Sequence, residues 1–410
     1  MRKLCIFKTA EDNEERFPSD VISTLERNFY VDDCLKSLPS ECKAIAHVSS
    51  LRSRRLRSKE VKKLGARKDE LHVQRALGVQ WSMESDTFGF NICIKPRAPT
   101  RRGILSMAST VFDPLGFLAP FILMAKQILQ DLCRTKLGWD EEIPPEYASR
   151  WENWLLDLPK LSLFAVNRCL KTADFGQVKS SQLHHFSDAS EVVYGSVSSL
   201  RLVNEEGKIQ CLFLFGKSCL APLKTVSIPR LKLSAATISI RQDKMLKRET
   251  DIPLSVQSIF WMDSMSVLLY VKNESKHFHA FVANRISMIR DGSTPHQWCH
   301  VEGIANPGGH ASRGMSAEAL LNCERWLMGP KFLWKTKEEW PKAPMSLGDV
   351  PVGDPEVKAD EKVCMTSAFE SACPLVEYFQ RTSSWQGLKK SVAWLLRYRD
   401  NLRSLSNCRK

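Results

Sequence analysis

His184-His185-Phe186-Ser187-Asp188-Ala189-Ser190 decides how this chain reads. An apolar stretch delivers an aspartate at its end, and Tyr194-Gly195-Ser196-Val197 begins a second stretch of strand character. A third leads through Gly216-Lys217-Ser218 to Ala221-Pro222-Leu223-Lys224, and Ile228-Pro229-Arg230-Leu231-Lys232-Leu233 opens a helix. Phe260-Trp261-Met262-Asp263-Ser264 is another strand that ends on an acid and runs straight into a helix. Strands that alternate with helices in this way specify an α/β layer with a mixed sheet. Further motifs follow at Phe281-Val282-Ala283-Asn284-Arg285 and from Asn306-Pro307-Gly308-Gly309 to Ala311-Ser312-Arg313-Gly314.

Upstream, Phe29-Tyr30-Val31-Asp32-Asp33 places two adjacent carboxylates after an aromatic, β-branched run. That pattern fits a hairpin turn presenting acids to a metal ion. A bare Asp-Asp pair is more often an ordinary acidic turn, and the preceding Tyr-Val favours the metal-binding reading. From Leu51 to Arg75 ten basic residues, among them Arg52, Arg54, Arg55, Arg57, Lys62 and Lys63, face three acids. Such a run can neutralise phosphates along a duplex, and it equally suits a solvated helix face or a connection. Val79-Gln80-Trp81 and Phe88-Gly89-Phe90-Asn91-Ile92 predict two strands around a polar turn. Helical spacing then runs from Thr100 to about Leu163, broken at Phe112-Asp113-Pro114-Leu115-Gly116.

At 410 residues, two or three domains are expected. Lysine and arginine outnumber aspartate and glutamate by 59 to 46, which makes nucleic acid the leading partner class. The thirteen cysteines form no Cys-x-x-Cys pair and fit free thiols in a reducing compartment. The longest apolar run, near Leu118 to Ala125, is too short to span a bilayer, and Leu4 to Phe7 is too short for a signal-peptide core. A non-membrane, intracellular protein of cytoplasm or nucleus is expected. His296, Cys299, His300 and His310 superficially suggest zinc. His296 and His300 sit in an expected strand around Trp298 and Val301, where neighbouring side chains alternate faces, which argues against a zinc centre.

Taken together, these motifs resemble, in number and order, the Pol polyprotein of BEL/Pao-type LTR retrotransposons. The resemblance runs from roughly Thr9 to Tyr398 and includes the region catalogued as a Pao retrotransposon peptidase. No Asp-Thr-Gly or Asp-Ser-Gly triplet supports proteolysis. It implies an α/β (α+β multidomain) chain in five parts. These are the C-terminal part of a reverse transcriptase palm (1–95), a helical thumb or connection (96–175), an RNase H-like domain (176–320), a linker (321–370) and a pre-integrase helical segment (371–410). It also implies RNA–DNA hybrid or duplex as partner, other Pol fragments as possible companions, and Mg²⁺ as the family's cofactor.

In the family, four acids hold two Mg²⁺ ions of the RNase H-like site. Two dications about 3.5–4 Å apart need several carboxylates converging from different elements. Asp188 and Asp263 match the first and third acids. Where the family pattern resembles Pro-Arg-Leu-Glu-Leu, this chain has Pro229-Arg230-Leu231-Lys232-Leu233, and the fourth acid is replaced by Gly309. Glu191, Asp291 and Glu302 are possible substitutes. An ammonium at 232 removes a negative charge and adds a positive one, and it has the reach to pair with Asp188 and Asp263 in a metal's place. The family's polymerase needs a further acid well upstream of Asp32 and Asp33, but only 29 residues precede Tyr30. The expectation is a catalytically inactive, nucleic-acid-binding Pol fragment. Its alternatives are a functional RNA-directed DNA polymerase/RNase H component and a decayed retroelement product.

Overall fold

The computed structural model describes residues 84–250, 252–342, 348–351, 353–358 and 384–407, with short pieces at 19, 22–23, 29–30, 33–34, 42–43, 45–46, 73–76 and 79–82. It divides into two compact units, Met1–Val357 and Lys358–Lys410.

In the first unit, β1 (Phe29–Tyr30) and β2 (Asp33–Cys34) form a two-stranded antiparallel pair, with Tyr30 opposite Asp33. A four-stranded antiparallel sheet follows in the order β3 (Val73–Ala76), β4 (Val79–Ser82), β5 (Thr87–Phe90) and β6 (Val166–Asn167). The β4–β5 turn is closed by Asp86, whose carboxylate accepts from Trp81 Nε1 at 2.9 Å and from Arg168 at 2.6 and 3.0 Å. The Arg168 guanidinium, foremost, holds this carboxyl down at about 2.

Between β5 and β6 lie α1 (Arg101–Ala108), α2 (Ala119–Arg134) and α3 (Pro145–Asp157). Thr100 caps α1 through its hydroxyl, which accepts from Gly103 N at 3.1 Å. The break expected at Asp113-Pro114-Leu115-Gly116 is a built turn. Asp113 accepts from the backbone N–H groups of Gly116, Phe117 and Leu118 at 2.9, 3.0 and 2.7 Å, satisfying donors at the entrance to α2. Gly116 has φ of 80°, and a Cβ there would lie 1.9 Å from the Gly216 carbonyl oxygen, so only glycine fits.

The sheet that matters for function has five strands in the order β11-β10-β7-β8-β9. They are β7 (Val178–Ala189), β8 (Val193–Asn204), β9 (Ile209–Leu220), β10 (Ile259–Met262) and β11 (Trp298–His300). The first three pair antiparallel, while β10 lies parallel to β7 and β11 parallel to β10. Central β7 is buried continuously from Ser181 to Ala189, without alternation, because both faces are covered. On one side α2, α3 and the sheet share a single core in which Phe117, Phe121, Trp154, Phe186, Phe213, Trp261 and Trp326 are all buried. On the other side α4 (Ile228–Glu249) lies on β7 and β8, with α5 (Met265–Lys272) and α6 (Ala280–Arg290) beside it. Small residues Ser234, Ala235 and Ala236 are buried on α4, so its backbone approaches the sheet closely.

The short helices α7 (Gly308–Arg313), α8 (Ala317–Leu321) and α9 (Glu324–Met328) complete this unit. Within the stretch expected to be a linker, Trp340, Val350 and Glu356 are buried. The second unit contains α10 (Trp385–Asn407), on which Trp385, Trp394 and Tyr398 are exposed. Among the described residues no helix is long and apolar enough to cross a membrane.

Candidate nuclease-like site

Parallel pairing of β7 and β10 sets Ser187 opposite Met262. The next residue on each strand is an aspartate, so Asp188 and Asp263 emerge side by side at the same end of the sheet. Asp188 is 1% exposed. Lys232 projects from the start of α4 between them, its Nζ 2.7 Å from Asp263 Oδ2 and 3.3 Å from Asp188 Oδ1. The Arg313 guanidinium reaches Asp188 Oδ2 at 3.0 Å, and Ser312 Oγ donates to the same oxygen at 3.2 Å. Two carboxylates thus face two cations, and the side-chain charges cancel.

Gly309, in the first turn of α7, adjoins the same cluster. A Cβ at 309 would lie 3.5 Å from Asp188 Oδ2 and 2.8 Å from the Arg313 Nη1. Neighbouring Gly308 is more constrained, since a Cβ there would meet backbone of Phe186 and Ser187 at 3.0 Å. Asn306 holds this corner down by donating from Nδ2 to Ser187 O at 3.0 Å.

The residues present do not fit an Mg²⁺ pair. Asp188 Oδ1 and Asp263 Oδ1 are buried without a directed hydrogen bond, as metal-ligand oxygens would be. However, the Lys232 ammonium sits against both carboxylates, and Mg²⁺ takes hard oxygens at about 2.0–2.1 Å in octahedral array. Among the described residues no three His, Cys, Asp or Glu side chains gather to hold a metal, so Glu191, Asp291 and Glu302 do not join these two.

The structure therefore brings together Asp188, Asp263, Lys232 and Gly309. Asp33 lies in β2, on separate backbone pairing from the five-stranded sheet. Asp32 and the basic residues Arg52, Arg54, Arg55, Arg57, Lys62 and Lys63 lie outside the described residues. The sequence does not single out Arg313 and Ser312 as partners of Asp188, although they belong to the Ala311-Ser312-Arg313-Gly314 motif. Only the tertiary approach of α7 reveals the pairing.

A second polar cluster fixes α4 to the sheet. His185 Nε2 lies 3.1 Å from Asp243 Oδ1, and its Nδ1 lies 2.8 Å from Ser198 Oγ. Ser198 also donates to Gln242 at 2.9 Å, Lys247 donates to Asp243 at 2.7 Å, and Ser258 bonds the same carboxylate. Burial pushes the Asp243 carboxyl up, but the His185 ring with Lys247 and Ser258 brings it down to about 2. Burial lowers His185. Serine, histidine and aspartate invite comparison with a hydrolytic triad, yet all three are at most 1% exposed and no substrate can reach them. They are a clamp.

A five-stranded mixed sheet in this order, with acids closing its first and fourth strands, defines an RNase H-like fold. Residues 100–264, about two-fifths of the chain, match the family model described as the Pao retrotransposon-like RNaseH-like domain. Over that segment the chain is similar to this retrotransposon family. The match begins in the helices set apart above as thumb or connection, and those helices share the sheet's core. No match is found among curated proteins. Similar solved structures include the N-terminal RNase H domain of Rv2228c from Mycobacterium tuberculosis, at 9% identity and TM-score 0.22, covering 31% of this chain and 86% of that one. LC11-RNase H1 from compost, in complex with an RNA/DNA hybrid, gives 10%, 0.22, 31% and 88% in the same order. Prototype foamy virus protease-reverse transcriptase gives 11%, 0.19, 74% and 45%. At such scores these likenesses carry no argument, and the fold stands on its own topology.

Proposed function

We propose that this Pol fragment binds nucleic acid through basic side chains and does not hydrolyse it. One observation carries the reading: the Lys232 ammonium bridges Asp263 and Asp188 at 2.7 and 3.3 Å, where a nuclease needs metal. Arg313 adds a second cation, so a dication would enter a site whose charges already cancel. The excess of 59 basic over 46 acidic residues supports phosphate binding of low specificity. Tyr30-Val31-Asp32-Asp33 is, in this reading, the acidic turn of a reverse transcriptase palm. The five-part division at 95, 175, 320 and 370 is proposed with it as the ancestral layout. The protein works inside the cell, in cytoplasm or nucleus.

The test is cleavage of a labelled RNA–DNA hybrid in Mg²⁺ and in Mn²⁺, beside salt-dependent binding of the same hybrid. Silence from the native chain, together with binding that weakens steeply with salt, is the expected result. Cleavage abolished by Asp188→Asn would instead establish a working RNase H component. The two buried Oδ1 atoms without directed partners are the observation that favours this second reading. Neither cleavage nor binding would leave a decayed product.

A further inference from the structure

Two arginines take no part in the charge balance at Asp188, and they meet in space. Arg285, from Phe281-Val282-Ala283-Asn284-Arg285, lies over the Phe281 ring with its Cζ 3.4 Å from the centroid. Arg230, from Ile228-Pro229-Arg230-Leu231, lies 5.2 Å from the same centroid. Arg285 is held by Nε on Ser234 Oγ at 3.1 Å and by Nη1 on Phe281 O at 3.0 Å. Among the described residues no carboxylate pairs with Arg285. Arg230 has one, Glu356, gripped in bidentate geometry at 2.7 and 2.9 Å.

Glu356 belongs to the segment around Val350–Val357, which is tied along α5, α6 and the turn between them. Tyr270 donates to Asp354 at 2.8 Å, Lys276 to Val350 O, and His279 N to Glu356 O at 2.9 Å, while Phe278 bridges Val357. The segment is acidic, with Asp349, Asp354 and Glu356 against Lys358. The Glu356 side chain is 7% exposed, so its charge is held out of water.

We propose that Arg230, Phe281 and Arg285 form a phosphate subsite for a nucleic-acid backbone, and that Glu356 occupies it as an internal stand-in for the phosphate. A guanidinium fork takes a carboxylate or the paired oxygens of a phosphodiester in the same planar, bidentate way. A clamp that only secures this segment needs one arginine. Here a second guanidinium, with no carboxylate of its own, is stacked on the same ring. Arg230 stands in the first turn of α4, two residues before Lys232, a spacing that turns the two side chains to different faces. The acidic segment must yield before a backbone can settle, which makes it a competitor of the ligand. This inference rests on the nucleic-acid-binding reading above.

The test measures anisotropy of a labelled RNA–DNA hybrid across a salt series with the full chain, Glu356→Gln and Arg230→Gln. Glu356→Gln should bind roughly threefold or more tighter at low salt, with a salt slope steeper by about one, because one phosphate contact is uncovered. Arg230→Gln should weaken binding and flatten the slope. If the native chain binds and Glu356→Gln changes neither affinity nor slope, Glu356 is a structural clamp and the subsite is refuted. If no protein binds hybrid, the nucleic-acid reading falls, and inorganic phosphate then decides the subsite. Hydrogen exchange at the His279 amide, bonded to Glu356 O, should quicken as phosphate displaces the segment. Unchanged exchange would overturn the subsite.

Discussion

Lys232 sets the character of the central cluster because it stands where two acids need a cation. Removing it leaves Asp188 and Asp263 facing each other with little water, and breaking a buried pair from one side costs about 3–5 kcal/mol. Lys232→Met is accordingly expected to lower stability by about 3 kcal/mol in urea unfolding. Lys232→Met with Asp263→Asn should recover most of that loss, because the stranded charge goes with its partner. A cost that persists in the double variant would show that packing, not charge, holds Lys232. If the proposed RNase H-like ancestry holds, placing acids at both positions with Lys232→Glu and Gly309→Asp should produce Mg²⁺-dependent hybrid cleavage. The new side chain at 309 has room only if the Arg313 guanidinium swings away from Asp188, and the Arg313 side chain is 60% exposed. Adding Arg313→Ala should therefore raise the activity of the double revertant, measured as initial rate at fixed Mg²⁺. No cleavage from either revertant would mean that the cluster was not disarmed by these positions alone.

At the scale of elements, the approach of α2 to the sheet depends on one glycine. Gly116→Ala forces a left-handed backbone on a residue with a Cβ and drives that Cβ into Gly216 O. The expected loss is about 2 kcal/mol or more, read from thermal or urea unfolding. Gly207 also has positive φ, at 83°, but a Cβ there meets nothing, so Gly207→Asn is the control that separates strain from clash. Equal losses at the two positions would refute the close approach. The neighbouring helices show how far sequence carries at this scale. Helical spacing from Thr100 to Leu163 announced α1 to α3, and Pro and Gly announced the break. Their packing on the sheet was not legible, because an apolar stripe says only that something covers it. The same holds for Trp340 and Val350, buried in a stretch whose proline and charge content reads as linker.

The whole molecule answers to pH through buried histidines. His184 is fully buried, and burial, with nearby Arg201, pushes it well below 6.5. His310 is pushed by burial, then by Arg325 and Arg313, to about 4. Each ring is neutral when folded, whereas in the unfolded chain it gains a proton below about 6.5. The unfolded state then binds more protons, so stability falls as pH drops. The urea midpoint should hold from pH 8 to about 7 and decline from about 6.5 toward 4. His310→Gln should lessen the decline, and an unaltered slope would acquit that residue.

The sequence by itself determined the strand–helix order and the two aspartates at strand ends, local facts written in periodicity, turn chemistry and residue type. That Lys232 and Gly309 stand where a nuclease keeps acids is what the family resemblance implies, residue by residue. That Lys232 reaches both aspartates was foreseeable only as reach. The actual 2.7 and 3.3 Å contacts follow from α4 lying close on β7 and β8 over small residues. Arg313 on Asp188 and Glu356 on Arg230 were decided by tertiary structure alone, since each pair joins residues about 125 positions apart. Spacing along a chain carries no information about such distances. They are set when the sheet closes its strand order and the helices settle on its two faces.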